Sequence, residues 1–548
     1  MKDTITKIAY FSAEIGISAK LPTYSGGLGV LAGDHIKAAA DAELPMCAVT
    51  LLYKEGYFKQ RLDDEGNQTE VYPRFDPNPL LKKLPIKFTL PLRKRDVWIQ
   101  VYEYRYKGLT GHEIPIYFLD TNLEENFHDD QVITMRLYSG DKDHRILQEA
   151  ILGFGGIKLL DELQYNDIET YHMNEGHASF IVMQLLRKFY GNHEEVRKRC
   201  HFTTHTPVAA GHDEFAIERC ERLLDGLLWE DLSKIKSIQK RRLNMTELGL
   251  YFSRSANGVS KLHEEVASGQ FPDYKIGHVT NGVYHPYWVG KEFREVFDDR
   301  LPGWRKDPNR LLNIGAILPD ELMRAHQSQK DFLLGYANSQ TQMALSNDVL
   351  TIGFARRAAR YKRASLIFND LERLTEIGKG KIQIIFAGKA HPADDDGKSI
   401  IYNLIQNAKK LFGTIKVVYL ENYNLWLGRI ITSGVDVWLN TPRRPNEASG
   451  TSGMKAALNG IPNLSILDGW WAEACKHGEN GWEIGTSEIV DDETAANHLY
   501  ELLEKEVLPT FYNDQEKWVS LMVESIKTGV NFTAYRMIKD YREKYYKL

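Results

Sequence analysis

Residues Asn446-Glu447-Ala448-Ser449-Gly450-Thr451-Ser452-Gly453-Met454-Lys455 form a glycine-punctuated run of mostly small residues, leading into a helical pattern with one lysine just inside it. Glycines and hydroxyls at a helix start leave backbone N–H groups to hold an anion, above all a phosphate. A lysine on the same turn can pair with that phosphate or form an imine with an aldehyde cofactor. A carboxylate, Glu447, stands at the entry. The same string also reads as a capped surface helix carrying a solvated lysine. It is not a P-loop, which needs Gly-Lys-Ser/Thr after its second glycine.

Three other groups carry chemical potential. Ala355 to Arg363 holds five cations, Arg356, Arg357, Arg360, Lys362 and Arg363, in nine residues. Cations at a helix start are unfavourable unless an anion neutralises them, so an oxyanion site is expected here, with a solvated helix start as the alternative. Ser25-Gly26-Gly27-Leu28-Gly29 follows an apolar run and opens a helix. It reads as close backbone approach to an anion or sugar, or simply as a tight turn. His172, His177, His205 and His263 show no metal-ligand spacing, and imidazoles bonded to sugar hydroxyls or packed in the core are expected instead of a metal. Trp470-Trp471 reads equally as a sugar-stacking pair or as core.

The elements that position these residues repeat one pattern: a short apolar run, a polar cluster, then a helical stretch. It occurs at Ile8–Phe11, Met46–Tyr53, Ile114–Leu119, Ile168–Tyr171, His201–Thr204 and Ile276–Thr280, and again at Leu350–Phe354, Ile382–Phe386, Ile415–Leu420 and Val435–Leu439. Such alternation predicts an α/β fold with mostly parallel sheets, the polar clusters lying at the carboxyl ends of the strands. Residues 287–348 break the pattern. Two Rossmann-like domains facing an interdomain cleft are therefore expected, with bounds 1–285 and 286–518 and a final helix over 519–548 crossing back onto the first.

With 548 residues, 43% of them hydrophobic, the chain can bury more than one core, and its length suggests about two to four domains. The formal net charge is −5 with no basic stripe, which argues against nucleic acid or an anionic membrane as partner. Cys47, Cys200, Cys220 and Cys475 are scattered without paired spacing and read as reduced thiols in a cytoplasmic protein. No apolar run is long enough to span a membrane.

Glu447 to Lys455, with Leu458-Asn459-Gly460 and Leu467-Asp468-Gly469, resembles the pyridoxal-phosphate lysine signature of the glycogen/α-glucan phosphorylases. Further segments fall in that family's order: Ser25 to Gly29, Asn257 to His263, Thr280 to Val283, Arg357 with Tyr361-Lys362-Arg363, Gly388-Lys389-Ala390 and Asn422-Tyr423. The resemblance implies a GT-B type architecture, the name for the two-domain arrangement above. It also implies phosphorolysis of an α-1,4-glucan (glycogen, starch or maltodextrin) by inorganic phosphate to α-glucose 1-phosphate, with retention. Pyridoxal phosphate would be held as an imine on Lys455, its 5′-phosphate relaying a proton to and from inorganic phosphate. Arg357 and Lys362 would bind substrate phosphate. Arg356, Thr451, Ser452, Gly453, Tyr423 and Gly27 would hold the cofactor. His205, Asn281, Glu447, Ser449 and Gly450 would bind glucosyl hydroxyls, with Gly26, Gly27 and Leu28 closing over the other side. Lys455, Arg357, Lys362 and His205 form the implied catalytic set.

This chain departs from the family pattern at three places. Ala358-Ala359-Arg360 replaces Ile-His-Glu, Gly453 replaces Asn, and Trp470-Trp471 replaces Ala-Asn. The chain is similar to the short prokaryotic branch, for which no phospho-serine or AMP switch is expected; the family's usual state is a homodimer. A nucleotide-sugar-dependent glucan synthase, a glycan-binding protein without activity and a glycoside hydrolase are the competing readings. The imine-lysine motif separates the first, and intact Lys455, Arg357 and Lys362 oppose the second. For the third, no pair among the 74 acids stands out.

Overall fold

The computed structural model describes residues 5–228, 238 and 241–547. They form two compact units, each built on a mostly or wholly parallel sheet. The first takes in residues 1–58, 72–279 and 537–548, and the second 59–71 with 280–536.

In the first unit nine strands make one sheet. They are β1 (Ile8–Phe11), β2 (Met46–Leu51), β3 (Lys82–Leu92), β4 (Arg95–Lys107), β5 (Glu113–Asp120), β6 (Thr170–Asn174), β7 (Cys200–Thr203), β8 (Ser255–Gly258) and β9 (Ile276–His278), in the order β9-β8-β7-β6-β1-β2-β5-β4-β3. Every pairing from β9 to β5 is parallel, while β5-β4 and β4-β3 are antiparallel. The central strands β1 and β2 are buried at every position, as expected where both faces of a parallel sheet are covered.

The second unit carries six parallel strands: β10 (Leu350–Ala355), β11 (Ile382–Ala387), β12 (Lys416–Leu420), β13 (Val437–Asn440), β14 (Asn463–Ser465) and β15 (Gly481–Glu483). Their order is β12-β11-β10-β13-β14-β15. Helices relevant below are α1 (Gly27–Asp41), α2 (Pro319–Thr341), α3 (Thr451–Ala457), α4 (Gln515–Val530) and α5 (Ala534–Tyr541). Among the described residues no helix is long and apolar enough to cross a membrane.

Three features differ from the sequence expectation. The antiparallel pair β3-β4 was not foreseen. The segment 59–71 goes with the second unit because its amides bond there: Ala390 N donates to Gln68 Oε1 and Gln68 Nε2 to Ala390 O, each at 3.0 Å, and Asn422 N donates to Gln60 Oε1 at 2.9 Å. The expected single helix over 519–548 is broken between α4 and α5. There the backbone leaves the helix to bond Val283, whose N–H donates to Phe532 O at 2.9 Å and whose carbonyl accepts from Ala534 N at 2.8 Å.

After the break, residues 537–548 return to the first unit and close a buried polar network. The Tyr546 hydroxyl lies 2.8 Å from both His35 Nε2 and His172 Nδ1, and Asn257 Nδ2 donates to the Tyr541 hydroxyl at 3.1 Å. His201 stacks on Tyr545 with centroids 4.4 Å apart. Burial pulls His35 and His201 down to about 3, so both rings are neutral at ordinary pH.

Candidate active site

In the second unit the polar clusters do follow the strands. Arg356 comes directly after β10 and Lys389 shortly after β11. Asn440 ends β13, and Asp468 follows β14. The five-cation run divides by partner. Arg356 donates to Glu447 Oε2 at 2.5 Å and to Asn440 Oδ1; Lys362 Nζ lies 2.8 and 2.6 Å from the two Glu447 oxygens. All three charged groups are buried. Arg363 is structural: it donates to the carbonyls of Thr441 and Pro442 and pairs with Asp492. Arg360 is exposed and pairs with Asp396, and Arg357 is exposed. The anion demanded by this strand end is thus the Glu447 carboxylate, and the solvated-helix alternative fails for Arg356 and Lys362.

Burial would raise the Glu447 carboxyl, but the Arg356 and Lys362 charges overcome it and hold it at about 2. Asp468 behaves oppositely. Its carboxylate accepts the N–H of Glu447 at 3.0 Å and of Gly469 at 2.8 Å. Burial first, then the neighbouring Glu447 charge, push it up to about 7. Two adjacent buried carboxyls therefore differ in protonation because Arg356 and Lys362 bond Glu447 directly, whereas at Asp468 the Arg444 charge is outweighed by burial and by Glu447.

The glycine-punctuated loop enters α3 through Gly450, whose φ of +87° lies in the left-handed region, and no side chain caps the helix. Thr451 and Ser452 are half-buried in its first turn. Lys455 is 5% exposed, with Nζ 3.8 Å from the centroid of the Trp288 indole. A solvated surface lysine is therefore excluded. Among the described residues the buried Ser449 Oγ has no hydrogen-bond partner, and neither has the buried Asn281 Oδ1. Tyr423 is half-buried and raised to about 12 by burial, with Arg356 opposing. Such a set, a buried amine beside an uncapped helix start, an unsatisfied hydroxyl and a buried guanidinium, fits an aldehyde-bearing phosphate ester.

Gly453 and Trp470 explain each other. A Cβ at Gly453 would lie 2.3 Å from Asn463 Oδ1 and 2.9 Å from the Trp470 ring. Trp470 and Trp471 are both about 1% exposed, so they are core and not sugar-stacking rings. Gly453→Ala is expected to destabilise the protein by about 1–3 kcal/mol through overpacking. Thermal unfolding checks this, and in a double-mutant cycle Gly453→Ala should cost less on a Trp470→Ala background than on the wild type, although Trp470→Ala is itself destabilising.

In the first unit His205 follows β7. Its Nε2 lies 2.8 Å from Asn174 Oδ1. The Asn174 amide nitrogen donates to Ser12 Oγ, so Oδ1 is an acceptor and His205 Nε2 carries the hydrogen, leaving Nδ1 as an acceptor. Burial lowers His205 to about 3. Its backbone N–H donates to Glu175 Oε2 at 2.7 Å, as does the Thr206 hydroxyl at 2.9 Å. Glu175 itself has φ +79°, a strained value for a residue with a Cβ. The turn after β6 is thus held by its own carboxylate. Gly26 and Leu28 are half-buried and Gly27 is exposed at the start of α1. Among the described residues no group of three or more His, Cys, Asp or Glu could hold a metal.

Sequence reading gave no role to Asn440, Asp468, Trp288, Asn174 or Glu175, nor to Lys389. Burial lowers Lys389 to about 8, and its carbonyl accepts the Ala358 N–H at 3.0 Å. Its signals were a lysine after an apolar run and the place of Gly388-Lys389-Ala390 in the family's order.

A family model described as carbohydrate phosphorylase matches residues 216–486. A maltodextrin phosphorylase of Thermococcus litoralis is 39% identical, the alignment covering 98% of this chain and 70% of that protein. A glycogen phosphorylase of Mycobacterium tuberculosis is 38% identical, over 99% of this chain and 71% of the relative. An uncharacterized protein of Methanocaldococcus jannaschii is 33% identical, over 98% and 99% respectively.

Proposed function

This chain belongs to the carbohydrate phosphorylase family, and we propose that it is an α-1,4-glucan phosphorylase using pyridoxal phosphate held on Lys455. It is a glycosyltransferase that releases the non-reducing-end glucose of glycogen, starch or maltodextrin as α-glucose 1-phosphate, reversibly and with retention. The observation that carries this reading is the burial of Lys455 in the helix entered from Ser449-Gly450, the Ser449 hydroxyl having no partner among the described residues.

The bound cofactor would supply, through its 5′-phosphate, a proton donor and acceptor for inorganic phosphate. Lys455 would hold it covalently, with Arg356, Tyr423, Thr451 and the amides of Ser452 and Gly453 around it. Gly27 is assigned to the cofactor by resemblance alone. Arg357 and Lys362 would take the charge of inorganic phosphate, as preorganised cations do in other phosphate-handling sites. An incoming phosphate would share Lys362 with Glu447. Glu447, Ser449, Gly450 and Asn281 would bind glucosyl hydroxyls; the unsatisfied Asn281 Oδ1 suits a hydroxyl donor. His205 would accept a hydroxyl hydrogen at Nδ1 as a neutral ring, with Gly26 and Leu28 over the sugar. The GT-B type arrangement, the family's homodimer and a cytoplasmic location go with this reading.

The test is purified protein with maltodextrin, with and without inorganic phosphate, assayed for glucose 1-phosphate. Product is expected only with phosphate. Free glucose without phosphate would replace this reading with a hydrolase, and transfer from a nucleotide-glucose with a synthase.

A further inference from the structure

The glycine turn after β1 is not free-standing. One carboxylate organises it from below. Glu14 is 2% exposed. Its Oε2 accepts the backbone N–H of Ser25 at 2.6 Å and of Gly26 at 3.3 Å, and also the Ser25 hydroxyl at 3.1 Å. Its Oε1 accepts the Tyr138 hydroxyl at 2.8 Å. Tyr138 is in turn fixed from behind. The Arg145 guanidinium lies 4.7 Å from its ring centroid and is itself held by Glu149 at 3.0 Å and Asp213 at 2.9 Å.

The glycines of the turn separate by purpose. A Cβ at Gly29 would sit 2.6 Å from Glu14 Oε2 and 2.8 Å from Tyr24 Cβ, so that glycine makes room for the carboxylate and for the Tyr24 side chain. A Cβ at Gly26 or Gly27 would meet nothing within 4 Å. Protein packing does not require glycine there, as it does at Gly29.

We infer that Glu14 is a positioning residue for phosphorolysis: by taking the Ser25 and Gly26 amides it fixes the turn that presents Gly26, Gly27 and Leu28. The inference rests on the reading that those three residues contact sugar or cofactor. Removing the carboxylate leaves two amides and a tyrosine hydroxyl without their acceptor, and the turn loses its register. Glu14→Gln should rescue it. The amide oxygen can keep the two N–H bonds while its NH2 group turns to the Tyr138 hydroxyl oxygen, which can accept.

The experiment compares Glu14→Ala, Glu14→Gln and Gly29→Ala in the full chain by hydrogen exchange of peptides covering residues 23–28, alongside kcat and KM for phosphorolysis and the absorbance of the bound cofactor. In Glu14→Ala exchange at Ser25 and Gly26 should rise about tenfold or more, and kcat should fall about a hundredfold, the scale of a 1 Å misplacement. Cofactor absorbance should be retained. Glu14→Gln should recover most of both losses. Gly29→Ala, which displaces the carboxylate without removing it, should reproduce the exchange change. Unaltered exchange at Ser25 and Gly26 in Glu14→Ala overturns the inference, and so does a Glu14→Gln variant as damaged as Glu14→Ala. If Glu14→Ala fails to fold, Gly29→Ala against wild type decides by the same readout. Altered exchange in an otherwise folded protein whose wild type makes no glucose 1-phosphate would refute the phosphorylase reading, and with it the catalytic half of the inference, while leaving the turn contact established.

Discussion

Lys455→Ala should abolish the absorbance of bound pyridoxal phosphate and lower phosphorolysis by a factor on the order of 10⁴ or more, the scale seen when a group acting as part of a unit is removed. The expectation follows from the position of the amine: it is buried, against the Trp288 indole, one turn inside a helix with no side-chain cap. Nothing else described in the loop offers an amine. Lys455→Arg keeps the charge but is not expected to keep the carbonyl chemistry, so it separates a phosphate-pairing cation from a covalent anchor. An alanine variant that lost the absorbance yet turned over normally would sink the proposed role of the lysine.

The largest stability effect is expected at Glu447. Its carboxylate is the shared anion of Arg356 and Lys362, and all three are buried. Glu447→Ala leaves two buried cations without it, at a cost of about 3–5 kcal/mol. Chemical denaturation at pH 7 measures this, and Glu447→Gln, which keeps one acceptor, should lose less. The pH dependence has a definite sign. The folded carboxyl is depressed to about 2, against an unfolded value of about 4.3. Its contribution is therefore full above the unfolded value and is lost as pH falls through the folded one. Asp468 runs the other way. Raised to about 7 when folded, it keeps a proton that the unfolded chain releases from about pH 4 upward, so its ionisation erodes stability as pH rises from about 4 to 7. Because Glu447 is one cause of that rise, the erosion should be shallower in Glu447→Ala. An unchanged slope between pH 4 and 7 would show that burial alone sets Asp468.

Much of this was legible because parallel-sheet strands are nearly continuous apolar runs and their functional residues follow them. Leu350–Phe354 announces a strand, and the cations after it need an anion. The identity of that anion was not legible: Glu447 lies far along the chain from Arg356, and only the fold brings them together. The same holds for Asp468, whose protonation depends on a neighbour reached through the loop. Trp470-Trp471 stayed ambiguous because aromatic composition does not reveal burial, and the unusual Gly453 made sense only once its missing Cβ was seen to make room for an indole. The strands β3 and β4 were missed for a different reason. They are antiparallel, and polar residues (Lys87 and Thr89 in β3, Gln100 and Glu103 in β4) interrupt their apolar ones, so they lack the continuous apolar run that marked the others. The break between α4 and α5 is set by Val283, a contact that helical periodicity does not encode.

The network around Tyr541 and Tyr546 has a consequence for biosynthesis. The first unit's polar interior is completed by residues 537–548, which are synthesised after the whole of 280–536. At about 5–20 residues per second, tens of seconds separate the appearance of Val279 from that of Met537. Throughout that interval His35, His172 and Asn257 await the hydroxyls that satisfy them in the finished molecule. The first sheet is therefore made long before the segment that satisfies its polar interior, and it must wait for the last part of the chain to close.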